Sequence, residues 1–94
     1  MAKVRVRGFS VIRDALGATV VEVDVAPPET VQGTLDALLR TYGRVRDVLF
    51  DPATGEMAPF LAVLNGEAIS STLDIHRPVK NGDELVIIFP IGGG

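Results

Sequence analysis

A chain of 94 residues, 47% of them apolar, suffices for one domain with a real core. A net charge of −3 argues against generic nucleic-acid binding, the absence of cysteine excludes disulfides and thiolate metal sites, and a lone His76 builds no histidine metal cluster. No run approaches the ~18 apolar residues of a membrane span, and Met1-Ala2-Lys3-Val4-Arg5 interleaves charge with valine where a signal peptide is continuously apolar, so a cytoplasmic protein is expected.

In residues 3–9, Lys3, Arg5 and Arg7 alternate with Val4, Val6 and Gly8, which predicts a half-buried strand with its valines inward. Phe9 has the parity of the arginines and is expected to point outward. Residues 12–17 read as a turn or loop closed by Gly17. Residues 19–25 alternate again, Val21, Val23 and Val25 inward against Glu22 and Asp24, so the two strands are expected to pair antiparallel. Pro27-Pro28 stop the second strand. Thr30 is a helix N-cap by type, and Val31, Leu35, Leu38, Leu39 and Tyr42 then recur at helical spacing, with Gly43 at the natural stop.

Residues 44–59 are the least regular, with room for one short helix before the turn chemistry of Asp51-Pro52-Ala53-Thr54-Gly55. Phe60–Leu64 predicts a third strand, Asn65-Gly66 a tight hairpin turn, and Glu67–Ile69 a short returning strand. Pro78 excludes a central strand from the crossing over 70–80. After the turn Asn81-Gly82-Asp83, the run Leu85-Val86-Ile87-Ile88-Phe89 suits a central strand that is covered on both faces, or covered on one and sticky on the other. The order hairpin, helix, strand, short strand, strand folds most simply as an α+β domain: a mixed sheet with one helix packed across it and the last strand beside the first.

Catalytic constellations are sparse. The chain lacks G-x-S-x-G, Walker A and H-E-x-x-H patterns. Ser70-Ser71-Thr72 with His76 reads better as a polar loop than as a nucleophile and base, which need an orienting third group and an oxyanion hole. Glu22 with Asp24, and Arg5 and Arg7 with Arg13, read as solvated surface. What stands out is the ending Phe89-Pro90-Ile91-Gly92-Gly93-Gly94, three glycines running straight on from the candidate central strand.

Those features taken together resemble the MoaD/ThiS group of ubiquitin-like sulfur carriers, in particular the small subunit of molybdopterin synthase in its archaeal-type form. The resemblance rests on Lys3–Gly17 with Phe9 and Arg13, the helix Val31–Tyr42, Phe60-Leu61-Ala62-Val63-Leu64-Asn65-Gly66, and above all Val79-Lys80-Asn81-Gly82-Asp83-Glu84-Leu85 leading into Ile88-Phe89-Pro90 and the glycines. It implies a β-grasp (ubiquitin-like) domain over residues 1–91 with a flexible glycine tail over 92–94. It also implies that Gly94 is adenylated and converted to a thiocarboxylate, with Gly93 and Gly92 giving access. Sulfur would then be donated in molybdenum cofactor (molybdopterin) biosynthesis.

The resemblance further implies partner contacts through Phe9, Leu61, Phe89, Pro90 and Ile91. The implied partners are an E1-like adenylating enzyme and the molybdopterin synthase large subunit, with ATP and magnesium used by the activating partner and neither cofactor nor metal bound by this chain. Alone the protein would be a non-catalytic cosubstrate. Three other readings stay open: sulfur supply for tRNA, thiamin or cysteine, a ubiquitin-like protein modifier, and a plain β-grasp interaction module. The tail departs from many relatives in having only Ile91 and Gly92 as spacer, and the two lysines, Lys3 and Lys80, make ubiquitin-like self-linked chains an unfavoured expectation.

Overall fold

Alternating valines form the first strand, β1 (Ala2–Gly8), and the second, β2 (Val20–Val25), which pair antiparallel with Val4 opposite Val23 and Val6 opposite Val21. The computed structural model of the chain describes residues 1–57 and 60–88. Between the two strands the sequence reading expects a turn; the structure instead holds a short helix, α1 (Val11–Leu16). Ile12 and Leu16 are buried under it, and Gly17 closes it in the left-handed region at φ 77°. The apolar pair at i and i+4 is the signal for this helix, too short a period to distinguish from a loop.

Helix α2 (Val31–Thr41) starts where Thr30 predicts. The Thr30 hydroxyl accepts from the Gly33 N–H at 3.1 Å, and the Thr34 hydroxyl donates back to the Thr30 carbonyl at 2.9 Å. The next orphan donors are met from the distant crossing, Val31 N–H to the Arg77 carbonyl at 2.9 Å and Gln32 N–H to the Ile75 carbonyl at 2.8 Å. Val31, Leu35, Leu38 and Leu39 are buried as the spacing requires. Gly33 is not simply a weak helix residue: a Cβ there would stand 3.1 Å from Val25 Cγ1 and 3.2 Å from the Pro28 carbonyl, so its smallness lets the helix close on β2. Gly43 stands just past the end of α2, at the stop its type marks, though in a right-handed and not a left-handed conformation. Tyr42 breaks the helix, and Gly43, at φ −58°, leads directly into a third helix, α3 (Arg44–Leu49). The long helix across the sheet is thus joined by two short ones, whose hydrophobic anchors are Ile12 and Leu16 on α1 and Val45 and Leu49 on α3.

The remaining strands are β3 (Leu61–Leu64), β4 (Glu67–Ser70) and β5 (Glu84–Ile88). Asn65 and Gly66 both take positive φ, 50° and 84°, which is the geometry of a two-residue hairpin between β3 and β4. The sheet order is β2-β1-β5-β3-β4, with β5 parallel to β1 and antiparallel to β3. The last strand therefore lies in the middle beside the first, as its apolar run implies.

Its entry is pinned from both sides. The Asn65 side chain accepts from the Glu84 N–H at 2.9 Å, and the Asn65 N–H donates to the Glu84 carbonyl at 2.9 Å. On the other flank the Arg5 N–H donates to the Asp83 carbonyl at 2.9 Å, and the turn before it is tied to β1 by Gly82 N–H to the Lys3 carbonyl at 2.8 Å. Leu85 and Ile87 point to the helical side and are fully buried with Val4, Val6, Leu35 and Leu38.

Gly8 is where β1 lies directly under α1. A Cβ added there would run into Ile12, with Leu16 Cδ1 at 3.2 Å behind it. Gly8→Ala is expected to destabilise the fold by about 1–3 kcal/mol, the usual range for overpacking, read as a lower denaturation midpoint in urea with an unchanged slope.

Candidate functional site

All three helices leave one face of the sheet uncovered. Strand parity decides what that face shows: Lys3, Arg5 and Arg7 from β1, Val20, Glu22 and Asp24 from β2, Glu84, Val86 and Ile88 from β5, Leu61 and Val63 from β3, and Ala68 and Ser70 from β4. Register sorts these into two halves. Toward the start of β5, Glu84 stands beside Arg5, which faces Glu22, and Lys3 faces Asp24. Toward its end, Ile88 pairs with Leu61, and Val86 with Val63, in an apolar half. The ion pair between Arg7 and Glu84, at 3.4 Å, lies on the boundary.

The apolar half is accessible. Leu61 is 61% exposed and Ile88 37%, although both belong to strands that otherwise feed the core. Phe9, 46% exposed, directly follows Gly8, whose register partner is Ile87, so it stands at the same end of the sheet as Ile88 and Leu61. Leu73, 88% exposed, sits in the turn after β4, held there by the Ser70 hydroxyl accepting from the Leu73 N–H at 2.9 Å. Phe9 and Leu61 are thus surface residues gathered at one end of the open face. Sequence reasoning missed Val63, Val86 and Ile88 as their companions. The signal was present in Leu85–Phe89, where an apolar run on both parities requires an apolar outer face as well as an inner one. Phe89, Pro90, Ile91 and the glycines Gly92, Gly93 and Gly94 lie outside the described residues.

The arrangement suits docking and offers little for catalysis. The Ser70 hydroxyl is spent on the turn, where it also meets the Thr72 hydroxyl at 3.1 Å, and His76 is exposed. Glu22 and Asp24 face basic residues across the strand pair and do not converge on a cavity. Among the described residues no three acidic or histidine side chains gather to hold a metal ion, and no helix is long and apolar enough to cross a membrane.

With this geometry in hand, the chain can be set against known proteins. The model of the ThiS family matches residues 6–94. Small archaeal modifier protein 1 of Haloferax volcanii is similar over 99% of this chain and 100% of its own, at 28% identity and a TM-score of 0.81. A Pyrococcus furiosus protein designated a candidate molybdopterin converting factor, subunit 1, is similar over 97% of this chain and 100% of its own, at 21% identity and a TM-score of 0.71. A chain of the BexX/CysO complex of Amycolatopsis orientalis is similar over 97% of this chain and 99% of its own, at 24% identity and a TM-score of 0.69. The latter two likenesses speak to the fold. No curated protein matches the sequence.

The split of apolar residues between core and open face is open to measurement. Leu61→Glu, on an exposed side chain, is expected to change the unfolding free energy by no more than about 0.5 kcal/mol. Leu85→Ala, on a β5 side chain with no exposure, is expected to lose about 2–5 kcal/mol. Urea melts of the two variants make the comparison.

Proposed function

This chain belongs to the ThiS family of ubiquitin-like sulfur carriers and modifiers, and on that premise we propose that it is a sulfur carrier whose C-terminal Gly94 is converted to a thiocarboxylate, in the service of molybdopterin synthesis. The observation that supports this most is the register at the end of the sheet. Ile88, the residue that precedes the 89–94 segment in the sequence, ends β5 beside exposed Leu61 in the apolar half of the open face, and Phe9 stands at the same end. A partner that grips this patch has the glycines delivered to it by the same contact.

The chemistry dictates why a partner is required. A terminal carboxylate, with a pKa of about 3.3–3.7, is ionised at neutral pH and is a poor electrophile. Activation has the carboxylate oxygen attack the α-phosphorus of ATP, releasing pyrophosphate and leaving an acyl-adenylate. Cations of the activating enzyme, its magnesium included, offset the charge that builds on the phosphoryl oxygens. A sulfide-level nucleophile then attacks the carbonyl carbon: a C–S bond forms, the C–O bond to AMP breaks with AMP taking the electron pair, and loss of the sulfur's proton leaves the terminal thiocarboxylate as the sulfur donor.

Glycine suits each step, because a residue without Cβ threads a narrow channel and leaves its carbonyl unhindered. The ring of Pro90 fixes its own φ, which lowers the entropy lost on docking. In this reading Gly94 carries the reacting carbon, Gly93 and Gly92 give access, and Phe9, Leu61, Phe89, Pro90 and Ile91 meet the partners. Those partners are an E1-like adenylating enzyme and the large subunit of molybdopterin synthase.

A second reading is favoured by the likeness to small archaeal modifier protein 1, a protein named as a modifier. It shares the acyl-adenylate and differs in the acceptor, a lysine amine of another protein in place of sulfur. Intact mass of the protein purified from its native cell separates the two. The carrier reading expects a C-terminal gain of about 16 Da, for oxygen replaced by sulfur, and co-purification with a synthase subunit. The modifier reading expects Gly94 joined to lysines of other proteins. Unconjugated protein of unshifted mass, with unchanged behaviour after deletion of Gly93-Gly94, would leave only a β-grasp interaction module.

A further inference from the structure

An open sheet ends on backbone groups that no strand within it satisfies. Here the edge strands are β2 and β4, and they are not alike. β4 is short and closes a two-residue hairpin, so Glu67 and Ile69 bond back to β3, and only Ala68 and Ser70 turn their backbone groups outward. The Ser70 N–H is already given to the Asp74 carboxylate at 2.7 Å. At the other end of the strand, Glu67 is occupied by Arg77 at 2.6 Å. Little of that edge is left to offer.

The outer edge of β2 is different. On β1, Arg5 and Lys3 turn their backbone groups to β5: the Arg5 N–H donates to the Asp83 carbonyl, and the Lys3 carbonyl accepts from the Gly82 N–H. The alternate residues of β1 turn to β2, as the Gly8 N–H does to the Thr19 carbonyl at 2.9 Å. Antiparallel pairing therefore bonds Val21, Val23 and Val25 to β1. Val20, Glu22 and Asp24, opposite Arg7, Arg5 and Lys3, direct their N–H and C=O groups away from it. Among the described residues no other backbone segment bonds that edge.

The side chains say what would fit beside it. Register sets Glu84, Arg5 and Glu22 in one row across β5, β1 and β2, and places Lys3 opposite Asp24. Charge alternates along the row, and the row stops at β2 on an acid. Glu22 and Asp24 are exposed, and among the described residues neither forms an ion pair. On the helical face of the same edge, Val21 is only half-buried against the core.

We infer that the outer edge of β2 is a strand-addition site for an extended segment of a partner protein in which basic and apolar side chains alternate. The backbone of Val20, Glu22 and Asp24 supplies main-chain hydrogen bonds. Basic side chains beside Glu22 and Asp24 continue the charge alternation on the open face, and apolar ones cover Val21 on the other. A second copy of this chain is a poor occupant. In the two registers that overlap β2 most fully with its copy, Glu22 meets either its own counterpart or Asp24, and like charges directly opposite are destabilising. β4, as Glu67-Ala68-Ile69-Ser70, has no base to offer. The acids thus repel self-pairing and select a basic strand. The site is two strands away from β3 and its Leu61, and it uses no residue of the C-terminal segment, so it stands apart from the carrier reading.

The test titrates the full chain with the capped peptide Val-Lys-Val-Lys-Val, whose symmetry serves either strand direction, and follows amide hydrogen exchange by NMR. At saturation the amides of Val20, Glu22 and Asp24 are expected to slow about tenfold or more, while those of Val21 and Val23, already bonded to β1, change little. The double variant Glu22→Lys, Asp24→Lys alters only exposed side chains. It is expected to stay folded by circular dichroism and to bind the peptide about tenfold more weakly or worse. A peptide N-methylated at every backbone nitrogen keeps its charge and is expected not to bind. Unchanged exchange at Val20, Glu22 and Asp24 overturns the inference. So does equal binding by the folded double variant or by the N-methylated peptide, or sedimentation of the free chain as a dimer with those amides protected.

Discussion

Everything at the open face depends on strand β5 being held on both edges. Its parallel partner β1 and its antiparallel partner β3 come from opposite ends of the chain's first sixty-odd residues, so neither pairing is local. The anchor is Glu84, whose N–H and carbonyl both bond Asn65, while the adjoining Asp83 carbonyl accepts from Arg5. A one-residue slip of β5 would turn Leu85 and Ile87 out of the core and bring Val86 and Ile88 into it. Asn65, in a positive-φ conformation that asparagine tolerates better than most residues, thus does two jobs: it turns the β3–β4 hairpin and it sets the register of the central strand.

Once the register is set, the surface follows from parity. The helices consume one face of the sheet, and the other is divided by the Arg7–Glu84 pair into a charged half and an apolar half. The apolar half lies at the end of β5, where the chain runs on toward its glycines. Exposed leucine, isoleucine and phenylalanine at one end of the face, bordered by charge on the side of Arg7 and Glu84, are a composition suited to protein docking. They carry little of the folding free energy, so the domain tolerates a sticky face without resting its stability on it.

The sequence reading and the structure part company where signals are short. Residues 11–16 offer one apolar pair, and residues 43–49 offer Val45 and Leu49, patterns that a loop satisfies as well as a helix. Those segments become helical because Ile12, Leu16, Val45 and Leu49 find buried places against the rest of the core, a tertiary reward that periodicity cannot report. Gly43 shows the converse. Its type marks a helix stop, and the chain does bend there, but in a right-handed conformation that starts the next helix.

The sequence by itself determined the element order, the inward valines of β1 and β2, the N-cap and buried stripe of α2, the Asn65-Gly66 turn and the central place of the last strand. Each of these follows from local chemistry or a repeat long enough to count: side-chain period, φ preference, capping. It also marked Phe9 as outward by parity alone. The tertiary structure decided that Leu61, Val63, Val86 and Ile88 share one open face. That placement depends on the register in which distant strands meet, which a side-chain period does not specify until the core is assembled.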